Sequence, residues 1–437
     1  MTQRLLTSAL LCASLSIATT SFADIRPSND DPPAPSSTQT INPVIEWNRA
    51  ILQILRTPGA QSPTIHSTRN FAILHLAIFE AVNNIDRDFK PYAVHLSHVS
   101  RRASTQAAAD QAAHDVLVAL YPSFTTTLDS QLQQDLTQIP SGQDRSDGIE
   151  VGQTVAATIL TLRSNDGSGA TPPPFVPKTQ PGDYQLTPPN FAPADFTQWP
   201  QVTPFALARA NEFRPAPPPQ LTSDTYTQSF NEVESLGFIS STTRTADQTQ
   251  IGQFWNGNIQ DFWNEIAQTA ALAHHLDLDH TAHLFALLNI TLADTTIAFF
   301  EAKYTYDLWR PVTAIQMADT DNNPATQANS TWLPLPTKTA PDPSYPGAHS
   351  AISAAGAEIL RIYLHDRITL DVTSESLPGI TRHFTTFSDA AEEAGLSRIY
   401  SGQHFRFDHN AGKQLGRQVA IKIVSTILQP KLNPDFD

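Results

Sequence analysis

Apolar residues in this chain recur at the spacing of an α-helix in stretch after stretch, and hardly anywhere at the spacing of a strand. Val44, Trp47, Ala50, Ile51, Ile54 and Leu55 fall on one face of a helix with about 3.6 residues per turn. Over residues 67–84 the apolar positions Phe71, Ile73, Leu74, Leu76, Ala77, Phe79, Ala81 and Val82 wrap most of the circumference, which predicts burial on several sides. The same period predicts helices over residues 105–120, 124–138, 146–163, 223–236, 245–277 (broken near Gly257), 279–309, 348–364, 387–395 and 403–427. Strict alternation is confined to a short run at 368–372. The fold class implied is all-α, with helices packed as bundles in two four-helix-bundle-like halves.

One long segment breaks the pattern. Fourteen of the 34 prolines lie between Pro172 and Pro219, and with Gly167, Gly169, Gly182 and Asp183 they exclude long helices from residues 165–221. Seven aromatic residues (Phe175, Tyr184, Phe191, Phe196, Trp199, Phe205 and Phe213) distinguish it from a solvated linker. It reads as an ordered loop laid over the helical body, in position to wall an active site. Residues 44–437 are expected to form one helical domain, preceded by a polar, Pro-rich linker at 24–43.

Residues 1–23 read as a secretory signal: Arg4, an apolar run from Leu5 to Ile17, and Ser21-Phe22-Ala23 before Asp24. A secreted or periplasmic location follows as an expectation. The only cysteine, Cys12, falls in this segment, so the remainder has no thiol chemistry. The formal net charge of −15 argues against nucleic acid and anionic membrane surfaces as partners. No run of 18 uncharged apolar residues stands out elsewhere, so no membrane span is expected.

Cationic and histidine residues concentrate in three segments. In the first, Lys303 and Arg310 are seven residues apart and followed by Pro311, which predicts one helix face with two stacked cations and a helix end at the proline. Two such cations require an anion between them; Glu301 or Asp307 would serve if the face were merely salt-bridged. In the second, Pro346-Gly347-Ala348-His349 feeds a helix, whose free N–H groups and dipole favour an anion and keep His349 neutral. A buried, satisfied histidine is the plainer alternative. In the third, Ser397-Arg398 precede His404, and Asp408 follows at i+4, where a carboxylate can fix the ring tautomer or simply pair with it on a helix surface.

Read in order, K-x6-R-P, P-G-A-H and S-R-x5-H-x3-D resemble the signature of the superfamily of vanadium-dependent haloperoxidases and type-2 phosphatidic acid phosphatases, which reads K-x6-R-P, P-S-G-H, S-R-x5-H-x3-D. Segments around Leu74 to Tyr92, Ala113 to Tyr121 and Gln198 to Leu207 are similar to its secreted bacterial haloperoxidase-like branch. The resemblance implies that Lys303, Arg310 and Arg398 bind the equatorial oxygens of vanadate, with Gly347 and the N–H of Ala348 beside them. It implies His404 as the axial vanadium ligand, His349 as the acid–base, and Asp408 as the partner of His404. The implied partners are hydrogen peroxide, a halide and a small organic acceptor. A soluble acid phosphatase with His404 as nucleophile, or a non-catalytic anion-binding relative, uses the same residues. The chain departs from the signature at Gly347, where the family's serine hydroxyl is missing, and at Ala348. Phe300 stands where relatives often carry tryptophan. Asp342 stands where some carry phenylalanine or histidine near the halide, and an ionised carboxylate there would repel halide.

Weaker patterns remain. His274, His275, His280 and His283, with Asp279, approach metal-ligand spacing but lack H-E-x-x-H and read as an exposed helix junction. Asn256, Trp263 and Asn264 are candidates to line the site. Phe299, Phe300, Tyr304 and Tyr306 read as core.

Overall fold

Side-chain caps open the helices close to where the apolar period begins. Asn42 accepts from the N–H of Val44 and Pro43 occupies the first turn of α1 (Pro43–Arg56). Ser104 caps α3 (Thr105–Leu120), Ser223 caps α6 (Asp224–Gly237), and Thr245 with Gln248 forms a capping box on α7 (Ala246–Phe254). The remaining helices are α2 (Ser67–Asp86), α4 (Thr125–Thr137), α5 (Gln143–Arg163), α8 (Ile259–Ala273), α9 (Leu278–Tyr306), α10 (Pro311–Gln316), α11 (Ala348–Leu364), α12 (Phe387–Tyr400) and α13 (Arg406–Thr426). This computed structural model describes residues 42–431; the signal segment, Cys12 and nearly all of the 24–43 linker lie outside them.

The architecture is mostly helical, and α9 is its axis. Its residues from Thr281 to Phe300 are all buried. α2 packs along one side of it, and α3 and α5 back α2; α11 and α13 pack along another side, with α12 against α11. Helices on both sides thus pack against this one helix. An all-round apolar helix can be satisfied only by neighbours on every side. α9 is long and apolar enough to cross a membrane, but its apolar stretch is wholly buried within this fold.

The alternating run at 368–372 lies in β1 (Arg367–Thr373), which pairs antiparallel with β2 (Thr381–Thr386), setting Leu370 opposite Phe384. Leu370, Val372 and Phe384 are buried, so one face of this hairpin packs on the helices.

Residues 165–221 form an ordered, largely non-helical wrap, as expected. The Asp294 carboxylate in α9 accepts from the N–H groups of Phe205, Ala206 and Leu207 at 2.6, 2.7 and 2.8 Å. Phe299 and Phe300 are buried as expected, but Tyr304 and Tyr306, which read as core residues in the sequence, are only partly buried and instead anchor the wrap through their hydroxyls. Tyr304 donates to the carbonyl of Asp195 and Tyr306 to that of Pro215, while Tyr345 donates to that of Ala216. The N–H of Tyr184 reaches the Asp307 carbonyl at 2.7 Å, and that of Trp309 the Gly182 carbonyl at 2.8 Å. The wrap is thereby stitched to the segment that carries Arg310.

Candidate active site

The expectation of Lys303 and Arg310 on one helix face is corrected. α9 stops at Tyr306 because Asp307 adopts a left-handed conformation (φ 54°), and Pro311 starts α10 instead of ending α9. Glu301 and Asp307 are engaged elsewhere, with Arg214 and Lys178. The two cations nonetheless meet, on Asp342: its Oδ1 lies 2.7 Å from Lys303 Nζ and 2.8 Å from Arg310 Nη2. Burial lowers the Lys303 ammonium to about 8 despite the pull of Asp342. Burial opposes the Asp342 carboxylate, but Lys303 and Arg310 outweigh it and hold its pKa below the usual range. Asp342 is therefore ionised, with its charge shared between two cations.

Arg310 links this pair to the third segment. Its Nε donates to the Asp342 carbonyl (2.7 Å), and Nη1 approaches both the Gln403 carbonyl (3.0 Å) and His404 Nε2 (3.1 Å). His404 precedes α13, so its pairing with Asp408 arises at a helix cap and not along a helix face. Asp408 Oδ2 accepts from the N–H of Phe405 (3.0 Å), from Ser344 Oγ (2.5 Å) and from His404 Nδ1 (3.0 Å). A proton on Nδ1 leaves the Nε2 lone pair directed at Arg310. Burial, then Arg310, Lys303 and Arg398, hold the imidazole far below its ordinary pKa, so it is neutral. Burial raises Asp408 to about 6, which leaves it ionised at neutral pH.

Helix α12 runs five residues past its expected end and carries Arg398 in its last turn. This side chain is 7% exposed, its Nε has no hydrogen-bond partner, and no carboxylate among the described residues pairs with it. Its one side-chain hydrogen bond among them is to Asn256 Oδ1, 3.4 Å from Nη1. Burial and then Arg310 disfavour its charged form, yet a guanidinium stays protonated in proteins.

His349 sits in the first turn of α11, where its Nε2 donates to the Trp255 carbonyl at 3.1 Å. Burial first, and then Arg398, push its pKa far down. The loop between α7 and α8 thus holds His349 through Trp255 and touches Arg398 through Asn256. Of the three candidates from the middle helices, only Asn256 reaches the site. Trp263 packs under Gly356 of α11, and Asn264 pairs with Asn289 in the core at 3.0 Å. Phe300 stacks on Tyr304 and meets Phe196 of the wrap. Ser344, Gln403 and the Trp255 carbonyl escape a reading of the sequence, because backbone carbonyls and a lone serine carry no spacing signal.

Gly347 has an ordinary φ of −72°, but a Cβ there would lie 3.2 Å from the Asp408 carbonyl oxygen. Its N–H donates to that same oxygen at 3.0 Å. A serine at this position would crowd the start of α13.

The histidine-rich stretch does not converge. His274 and His275 are exposed, whereas His283 is buried against Phe89 and bonded to the Leu428 carbonyl (2.8 Å) and Tyr363 Oη (3.1 Å). Its reading as part of an exposed junction is corrected. Burial holds the His283 pKa down near about 3. The unfolded chain takes up a proton at its ordinary pKa of about 6.5, whereas the fold does not. The stability tied to the neutral ring is therefore complete above that pH and is lost progressively as pH falls toward 3. His283→Gln is expected to be less stable than the native chain at neutral pH, with the deficit shrinking by about 3 kcal/mol near pH 4. Urea unfolding at both pH values checks this; a deficit independent of pH would contradict it.

The model of the VCPO second helical-bundle domain matches residues 283–430, a span that contains all three motifs. The vanadium chloroperoxidase of Curvularia inaequalis is 24% identical over 497 aligned residues, covering 86% of this chain and 80% of that protein. Among solved structures, the first bacterial vanadium-dependent iodoperoxidase superposes with a TM-score of 0.74 at 25% identity, over 92% of this chain and all of that one. Bacterial vanadium-dependent chloroperoxidases in apo and holo form superpose with TM-scores of 0.62 at 15% and 17% identity, each over 86% of this chain and 96% of theirs, and share the fold. Residues 283–430, in which all three motifs converge, thus match the VCPO second helical-bundle domain, within a fold shared with bacterial vanadium-dependent haloperoxidases.

Proposed function

We propose that the protein is a vanadate-dependent haloperoxidase that oxidises a halide with hydrogen peroxide to hypohalous acid. The observation that carries this reading is the buried Arg398 guanidinium, without a carboxylate partner among the described residues, beside the unprotonated Nε2 of His404. A buried cation lacking a carboxylate requires an anion, and an imidazole nitrogen that carries no proton suits a metal centre. The residues present therefore fit vanadate. Lys303, Arg310 and Arg398 would hold its oxygens, with the N–H of Ala348 at the start of α11, and His404 Nε2 would be the ligand. When bound, vanadate supplies a Lewis acid that activates peroxide toward attack by halide.

The protein's own contribution is charge and proton placement. Asp408 fixes His404 as the Nδ1–H tautomer, which keeps Nε2 available. The Trp255 carbonyl holds the proton of His349 on Nε2, which leaves Nδ1 to take up a proton from an incoming peroxide. The wrap of residues 165–221 limits water around Arg310 and the aromatic wall of Phe196 and Phe300. Export of the protein is part of the proposal and rests on residues 1–23 alone.

The test is halogenation of a phenolic dye by protein incubated with orthovanadate, hydrogen peroxide and each halide in turn, beside hydrolysis of p-nitrophenyl phosphate without vanadate. Vanadate-dependent halogenation is expected. Hydrolysis without halogenation would assign the phosphatase activity, with His404 Nε2 attacking phosphorus. Neither activity in vanadate-loaded protein would assign anion binding alone.

A further inference from the structure

Of the three cations, Arg398 alone has no carboxylate partner among the described residues; Lys303 and Arg310 share one, Asp342. The side chains of those two cations are 1% and 2% exposed, while that of Asp342 is 14% exposed. The carboxylate is thus the most exposed of the three groups. It bonds the same donors, Lys303 Nζ and Arg310 Nη2, that an incoming oxyanion would use. Every nitrogen of the Arg310 guanidinium is already engaged: Nε is on the Asp342 carbonyl, Nη1 on Gln403 and His404, and Nη2 on the Asp342 carboxylate.

We infer that Asp342 is a resident anion of the cradle, competing with a tetrahedral oxyanion for Lys303 and Arg310 and weakening its binding. The inference rests on the oxyanion-site reading above. Two features let the carboxylate withdraw. The backbone of Asp342 is held independently of its side chain, through its carbonyl on Arg310 Nε and its N–H on the Ala340 carbonyl at 3.0 Å. A rotation about χ1 therefore moves the carboxylate without moving the loop. Once an oxyanion arrives, carboxylate and ligand are like charges at close range in a poorly solvated site, and that repulsion is the cost that binding must overcome. Without any oxyanion the same carboxylate separates two buried cations that would otherwise repel.

The position therefore has opposite effects on the two states, which a purely structural role would not produce. Asp342→Asn keeps the size and removes the charge; Asp342→Ala removes both. By titration calorimetry with orthovanadate, and separately with inorganic phosphate, both variants are expected to bind about tenfold more tightly than the native protein. Without oxyanion they should melt at lower temperature than the native protein, and with saturating oxyanion they should show the larger upward shift. Unchanged or weaker binding in both variants, with folding verified by melting, overturns the proposal and leaves Asp342 as a positioning residue for Arg310. Arg398→Met is the control for the underlying reading. If the native protein binds neither anion and Arg398→Met changes nothing, the oxyanion site itself is wrong. If Arg398→Met loses binding while Asp342→Asn gains none, only the role of Asp342 is wrong.

Discussion

Arg398→Met is expected to weaken orthovanadate binding by about 100- to 1,000-fold while leaving the unliganded protein no less stable than the native chain. The combination is unusual for a buried arginine. Arg163, equally buried, binds Asp166 and the carbonyls of Thr203 and Pro204, so its charge is compensated by the fold itself. Arg398 has one long contact to Asn256 and an unpartnered Nε. A desolvated charge without a partner costs several kcal/mol, and an apolar side chain of similar length removes that cost. The last turn of α12 returns some of it, because a helix C-terminus favours a cation by about 0.3–1 kcal/mol. The balance predicts a neutral or stabilising effect without ligand. With ligand, charged hydrogen bonds worth about 1.5–3 kcal/mol each disappear, and two of them at the lower end of that range correspond to the stated loss of affinity. Calorimetry with orthovanadate and urea unfolding without it measure the two effects. A clear loss of unliganded stability with affinity retained would mean that Arg398 serves the fold and not the oxyanion.

Helix positions are legible in the sequence because each rests on local signals that act together. The apolar period runs from Val44 in α1, and the break expected near Gly257 falls between α7 and α8. The three motifs are legible from their spacing, and the residues they carry, Lys303, Arg310, Arg398, His349 and His404, lie around one region. How they are held there is not. A left-handed aspartate at 307 has no sequence signal of the kind that glycine gives, so the apolar period overruns the true end of α9 and Pro311 reads as a stop. The resemblance sets Asp342 only where some relatives carry phenylalanine or histidine; in the fold its charge is committed to Lys303 and Arg310, 39 and 32 residues away in sequence. The spacing of His404 and Asp408 suggests a helix face; they meet instead at a cap, because the chain turns at Gly402 (φ 74°) and α13 starts only at Arg406. Such contacts are set by tertiary packing, to which local periodicity is blind.

The two histidines are positioned by the closeness of two helices, and that closeness predicts the other large effect. α11 begins beside His349, and α13 begins just after His404. Between them, Gly412 and Gly416 of α13 face the backbone of α11. A Cβ at Gly416 would lie 2.0 Å from the Ala351 carbonyl oxygen, and one at Gly412 would lie 2.3 Å from that of Gly347. Neither obstacle is a flexible side-chain tip, so the helices must separate to admit even a methyl group. Gly416→Ala is therefore expected to destabilise the protein by about 3 kcal/mol or more, at the upper end of overpacking effects, despite the gain in helix propensity of about 1 kcal/mol. Gly412→Ala carries a similar penalty. It also pushes on Gly347, whose N–H is bonded to Asp408, and so shifts His349 relative to His404. Displacements on the order of 1 Å in a preorganised site cost about 100-fold in rate, so the variant that remains folded should lose oxyanion affinity and activity together. Gly169 provides the contrast, since a Cβ there meets nothing within 4 Å, and Gly169→Ala should stay within about 0.5 kcal/mol of native. Urea unfolding of the three variants, with orthovanadate titration of those that fold, measures both consequences. Native-like stability for Gly416→Ala would show that α11 and α13 do not approach this closely, and the placement of His349 beside His404 would go with it.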